Sequence, residues 1–293
     1  MRRSIFCSAF VLIVLALAPP GYAADFGFRY PATIVMRGAI APGDEKTFQS
    51  LIERRDFGTL ELFSNGGDVE TALKIGHIIR SKDLAVSVPK NGYCGSACIF
   101  LLAAGVERWP VGKAIIHRPY FTALDPALSS QQVDAKYKKL VRAIYKYLKE
   151  MNVPTALADA MLSIPPNEEH VLSDPELARY MLDQRDPSYD ERETAKEAAQ
   201  FRISSAELRR RTLLAEKQCV DFEADRYDPL GKYEACKIGS ILSLPLAEAR
   251  RRLSIWGKTI APQGTDLFKD CFTDIVVDGR PGCEPNYFGD IRD

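Results

Sequence analysis

The sequence predicts an α/β protein carrying a small, mainly helical C-terminal appendage pinned by disulfides. Three observations lead there. Strand-like and helix-like stretches alternate between residues 32 and 117, the pattern of parallel βαβ units. Gly- and Ser-rich turns follow several of those strands. Beyond residue 200, helical patterns run into a Gly/Pro-rich end, and the whole stretch carries four cysteines.

In chain order, Ala32–Met36 reads as an apolar strand, and Thr47–Glu53 as an amphipathic helix with apolar residues three and four apart. Thr59–Phe63 is a second strand. It runs into Ser64-Asn65-Gly66-Gly67-Asp68 and then a helix with Val69, Ala72, Leu73, Ile75, Gly76 and Ile79 on its apolar side. Leu84–Pro89 is a third strand, leading to Ser96 and the apolar helix Ala97–Ala104. Trp109–Ile116 is read as one fourth strand, ending at His117. Gln131–Met151 is a long amphipathic helix, Thr155–Leu162 a shorter one, and Asp174–Leu182 a helix capped by Asp174. Residues 186–200 read as a charged linker or exposed helix. Ala206–Asp221 and Leu246–Trp256 are helical.

Residues 1–24 have the layout of a secretory leader, with Arg2-Arg3, an apolar stretch Phe10–Ala18, the breakers Pro19-Pro20-Gly21, and a Tyr22-Ala23-Ala24 segment whose alanines are small enough for cleavage. The expected organisation is therefore a signal peptide at 1–24, an α/β domain at 25–185, and an appendage at 186–293. A periplasmic or secreted bacterial envelope protein is expected, with no membrane span after cleavage because no other stretch reaches about 20 apolar residues. Loss of Arg2 and Arg3 leaves 37 basic against 39 acidic side chains. That balance argues against nucleic-acid binding, which needs clustered cations. The runs Arg209-Arg210-Arg211 and Arg250-Arg251-Arg252 have acids nearby and read as solvated helix faces.

Six cysteines remain after Cys7: Cys94, Cys98, Cys219, Cys236, Cys271 and Cys283. An even number in an oxidising compartment favours disulfides, with 15 connectivities open. Cys219–Cys236 and Cys271–Cys283 are preferred as short local loops, and Cys94 can be bridged to Cys98 across the Ser96 turn. The spacings do not suit a zinc knuckle, so no metal site is expected, and no cofactor is called for.

Ser96 on its own would be read as a helix N-cap. Three features at predicted strand ends change that reading: Gly66-Gly67, Ser96 and His117. A serine nucleophile needs a base and N–H donors for the developing oxyanion. His117 supplies the base, while Gly66-Gly67 and the Ala97 N–H supply the donors. The other two histidines, His77 in an apolar helix and His170 beside two glutamates, read as packed or surface residues.

In order and spacing, Ser64-Asn65-Gly66-Gly67, Gly95-Ser96-Ala97, Phe100–Gly105 and Ile116-His117-Arg118-Pro119 resemble the proteolytic subunit of the Clp protease. In kind they are most similar to secreted relatives with a cysteine-flanked serine. The resemblance spans roughly residues 30–185. It implies a ClpP/crotonase-like spiral of ββα units, with Ser96 as nucleophile, His117 as base, and Gly66, Gly67 and Ala97 as the oxyanion hole. The family's third triad member, an aspartate, is matched by Glu169, with Glu168 as the alternative; Asn65 stands where the family has proline. The expected function is an ATP-independent serine hydrolase, a peptidase acting on peptide or protein substrates. The helix at 131–151 lies where the family stacks subunits, so a homo-oligomer is an open expectation.

Other readings use the same residues differently. A crotonase-type acyl-CoA enzyme would leave Ser96 and His117 unexplained. A Ser–Lys protease would use Lys90 or Lys113 as base. A non-catalytic secreted binding or scaffold protein would keep the fold without the chemistry.

Overall fold

The computed structural model describes residues 23–29, 32–121, 125–226, 228, 230–260 and 271–280. The chain divides after Asp186 into two compact units.

The first unit is built on two sheets. The larger has the strand order β1(Asp25–Arg29), β2(Thr33–Arg37), β3(Thr59–Phe63), β4(Ala85–Val88), β6(Arg108–Pro110). β1 is antiparallel to β2 and the other neighbours are parallel. The smaller has the order β5(Tyr93–Gly95), β7(Lys113–Ile116), β8(His170–Val171), with β5 and β7 parallel and β8 antiparallel to β7. Helices α1(Asp44–Ile52) and α2(Val69–Ser81) follow β2 and β3. After that the chain twice lays down one strand in each sheet before a helix: β4, β5, α3(Cys98–Ala104), then β6, β7, α4(Ser130–Glu150).

That doubling corrects the single fourth strand expected at 109–116. The stretch breaks at Val111-Gly112 and its halves join different sheets. Gly112 packs so closely on the preceding turn that a Cβ would lie 2.3 Å from the Pro89 carbonyl oxygen and 2.4 Å from that of Gly92. Continuous alternation of apolar residues hides such a switch, because both halves are legitimate strands.

Ile34, Met36, Leu60, Leu62 and Val86, all fully buried, form the sheet side of the core. α3 is buried on every side, as its all-apolar sequence demands. α4 has a capping box, in which the Ser129 side chain accepts from the Gln132 backbone and the Gln132 side chain from the Ser129 N–H. α5(Ala156–Ser163) and α6(Asp174–Arg179) complete the unit. The cap of α6 is Ser173, with Glu176 completing a capping box, rather than Asp174. Serine with glutamate three residues on satisfies two end N–H groups at once, which an aspartate one residue later cannot do.

Where chain leaves this unit, a buried ionic cluster closes it. Arg108 and Asp186 are 0% and 1% exposed. Arg108 donates to the carbonyls of Gly105, Met181 and Met151, and Arg80 and Asn152 donate to Asp186. Burial lowers the Arg108 pKa to about 10, with Arg80 adding to the effect and Asp186 opposing it.

The second unit is helical: α7(Pro187–Gln200), α8(Ser205–Gln218), a 3-10 turn at Val220–Asp225, α9(Lys232–Leu242), α10(Leu246–Ile260) and a π-helical turn at Thr273–Val277. Phe201, Leu208, Ile238, Ile241, Leu253 and Val276 share its core. Cys219 is bonded to Cys236 as expected. Cys271 is also disulfide-bonded, and its expected partner Cys283 lies outside the described residues. The two arginine runs are matched by acids: Arg209 meets Asp190 and Glu191, Arg210 and Arg211 meet Glu207, and Arg251 and Arg252 meet Glu248.

Candidate active site

β5 and β7 run side by side in the register Tyr93↔Lys113, Cys94↔Ala114, Gly95↔Ile115. Both end together, so Ser96 and His117 stand just beyond the C-terminal ends of adjacent parallel strands. The Ser96 N–H donates to the Ile115 carbonyl oxygen (2.9 Å), extending the ladder by one bond.

Ser96 itself is left-handed, with φ +53°. A non-glycine residue in that region is uncommon and is held there by its surroundings. Cys94 and Cys98 are joined by a disulfide across the turn. The cap of α3 is Ala97 rather than Ser96. The Ser96 hydroxyl therefore does not cap the helix, and it makes no hydrogen bond among the described residues. It is half-buried.

Gly66 packs on this turn. A Cβ there would lie 2.5 Å from the Gly95 carbonyl oxygen, 2.7 Å from the Ser96 Cβ and 2.8 Å from the Ala97 nitrogen, and φ is +94° besides. Only glycine fits both demands. Gly67 is pressed equally hard against Ile40, where a Cβ would be 2.2 Å from its carbonyl oxygen. The loop is tied to the serine turn through Ser64, which is fully buried. Ser64 donates its N–H to Tyr93 and its carbonyl accepts from Gly95 (both 2.9 Å), while its hydroxyl accepts from the Gly66 N–H (3.1 Å). The N–H groups of Gly67 and Ala97 make no hydrogen bond among the described residues. Two unpaired backbone donors in loops flanking one serine hydroxyl are what an oxyanion requires.

His117 is half-buried, and its Nδ1 lies 3.0 Å from the Arg118 carbonyl oxygen. A carbonyl only accepts, so Nδ1 carries a proton, and in the neutral ring the lone pair is then on Nε2, the tautomer a base needs. Arg118 is in turn fixed to α5. Its N–H donates to Ile164 (3.0 Å) and its Nε to Leu162 (2.8 Å). Arg118 is the orienting residue that sequence reasoning missed. It lies inside the Ile116–Pro119 block and touches His117 locally, but the bonds that fix it in place are long-range. Tyr120, half exposed, lies against the His117 ring at 5.8 Å between centroids.

The acidic side is looser. The β7–β8 ladder pairs Ile115 with Val171 and Ile116 with His170. Continued by one step, that register puts Glu169 opposite His117. Glu168 and Glu169 are nevertheless exposed, and neither forms an ion pair with His117 among the described residues. The carboxylate engaged nearby is Glu176. It accepts from His170 Nε2 (2.7 Å), from the Ser173 hydroxyl (2.6 Å) and from the Ser173 N–H (2.9 Å). Those bonds, Ser173 first, hold its pKa down to about 2. His77 is half exposed, with Nε2 3.7 Å from a Glu150 carboxylate oxygen.

Among the described residues no group of three or more His, Cys, Asp or Glu is placed to hold a metal ion, and no helix is long and apolar enough to cross a membrane. No protein-family model matches the chain, and no curated protein matches it.

Proposed function

We propose that the protein is an ATP-independent serine hydrolase of the ClpP/crotonase-like kind, working outside the cytoplasm on peptides or loosely folded segments. The observation that carries this reading is the Ser96 turn. A left-handed serine that caps nothing sits against Gly66, with unpaired N–H groups on both flanking loops. The repeated strand, strand, helix order supports the ClpP-like part of the reading, and the disulfides are compatible with an oxidising compartment.

In this mechanism His117 Nε2 takes the proton from the Ser96 hydroxyl as Oγ attacks the carbonyl carbon of an ester or amide. The oxyanion is received by the N–H groups of Gly67 and Ala97. Collapse expels the alcohol or amine, which takes the proton from His117, and water repeats the cycle on the acyl-serine. Arg118 holds the imidazole through its carbonyl oxygen, and Glu169 stabilises the imidazolium from across the strand. Ser96 and His117 form no hydrogen bond to each other among the described residues, and such a bond is expected to form on the substrate.

Hydrolysis of p-nitrophenyl esters and of unfolded reduced protein, without nucleotide, tests the reading. Turnover that disappears in Ser96→Ala is expected. No turnover by folded, disulfide-intact protein would contradict it and leave a binding or scaffold role on the same fold.

A further inference from the structure

We propose that the chain is cut between Ala23 and Ala24, and that the new α-ammonium of Ala24 ion-pairs with the buried Asp44 carboxylate. The inference rests on an export leader at the N-terminus, here ending one residue earlier than the 1–24 boundary expected from the sequence, and only its consequence for catalysis rests on the hydrolase reading.

The structural half of the argument is a buried carboxylate lacking a cation. Asp44 is 3% exposed. Its Oδ2 accepts from the Ala24 N–H at 3.1 Å and from the Ala41 N–H at 2.8 Å. No Lys, Arg or His nitrogen lies within 4.0 Å of it among the described residues. Asp44 opens α1, whose N-terminus favours a negative charge. A buried carboxylate nonetheless remains costly without a positive partner. Ala24 is buried and Ala23, one residue earlier, is exposed. The chain thus passes from solvent to the carboxylate across the very bond at issue.

The sequence half is independent. Leader cleavage needs small residues one and three positions before the cut. A cut after Ala23 places Ala23 and Gly21 there, whereas a cut after Ala24 places the bulky Tyr22 at the second position. The step is hydrolysis by a leader peptidase of the exporting membrane. Water adds across the amide, its oxygen bonds to the Ala23 carbonyl carbon, and the C–N bond breaks. Ala23 leaves as a carboxylate with the leader, and the Ala24 nitrogen gains the protons that make it an ammonium. An α-amine has an ordinary pKa of about 7.7–8.0, so it is charged at neutral pH. The existing bond from a neutral N–H to the carboxylate becomes an ion pair in which donor and acceptor are both charged.

The ion pair reaches the candidate site through three residues. Asp44 holds Ala41, and the adjacent Ile40 donates its N–H to Gly66 and accepts from the Asp68 N–H, both at 2.8 Å. Ile40 is the residue against which Gly67 is pressed. Processing thereby stiffens the segment that backs the Gly66-Gly67 loop.

Intact mass and N-terminal sequencing of the exported full chain, followed by urea unfolding, test this. The expected mature N-terminus is Ala24. Protein beginning at Ala24 should exceed protein retaining Ala23 by about tenfold in its folding equilibrium constant, and Asp44→Asn should remove that difference. Nα-acetylated Ala24 protein provides the same comparison if Asp44→Asn does not fold. A mature chain beginning at Asp25, or equal stability of the two N-terminal forms, would overturn the proposal. None of these readouts depends on Ser96 reactivity, so an inert serine would leave them unchanged.

Discussion

At the end of β5, Ser96 is held by a disulfide around it, a ladder bond from its own N–H, and a glycine pressed on its Cβ. At the start of β8, Glu169 is exposed and pairs with nothing close to His117. Both segments border the same pair of strand ends, yet one is fixed from several directions and the other hardly at all. Under the proposed hydrolase reading, the contrast implies that the serine and its N–H donors are pre-organised, whereas the acid contributes weakly or only once substrate is bound. His117 fits this picture, because its orientation comes from a backbone carbonyl and not from a carboxylate.

The sharpest way to break the comparison is to intrude on the fixed side. Gly66→Ala drives a Cβ to within 2.5–2.8 Å of three atoms of the serine turn. Overpacking costs about 1–3 kcal/mol and a left-handed alanine about 1–2 kcal/mol. Urea unfolding should register a loss of that order, with serine reactivity gone. A Gly66→Ala protein of parental stability would show the turn to be far more pliable than described.

Removing the Cys94–Cys98 bridge should cost less. A loop this short is worth about 2 kcal/mol in the chain-entropy account. The double alanine variant should unfold at lower urea and label more slowly with a serine-directed probe. The Cys219→Ala/Cys236→Ala pair, closing a longer loop, should lose about 3 kcal/mol, measured in the unfolding of the second unit, without slowing the probe.

On the loose side the effects should be small. Glu169→Gln is expected to lower turnover less than about tenfold, far below the ~10⁴ typical of a buried triad acid. A loss of that larger size would instead show that Glu169 swings onto His117 during catalysis.

The smallest effect concerns acid stability. Glu176 is depressed to about 2 in the folded chain by Ser173 and His170, against about 4.3 unfolded. A depressed carboxylate contributes stability that is present above the unfolded pKa and lost as pH falls through the folded one. Melting temperature should therefore decline modestly between about pH 4.5 and pH 2, and Glu176→Gln should flatten that decline.

Much of the fixed side was legible in the sequence because its causes are local. Paired glycines, a serine between strand and helix, and cysteines four apart each dictate backbone geometry within a few residues. The α/β character was legible for the same reason, since alternation of strand and helix patterns records burial directly. What the sequence hid was long-range. The switch of chain between sheets at Gly112 depends on carbonyls at Pro89 and Gly92. Arg118 acts through carbonyls of Leu162 and Ile164, and Glu176 was drawn to His170 by a cap that Ser173 forms. No periodicity in one segment reports what another brings to it.

The central claim is that Ser96 is an activated nucleophile, and a fluorophosphonate probe tests it directly. Folded, oxidised protein should be labelled on a single peptide containing Ser96, with labelling abolished in Ser96→Ala and reduced at least 10²-fold in His117→Ala. Labelling elsewhere, or none in protein whose disulfides are formed, would contradict the account.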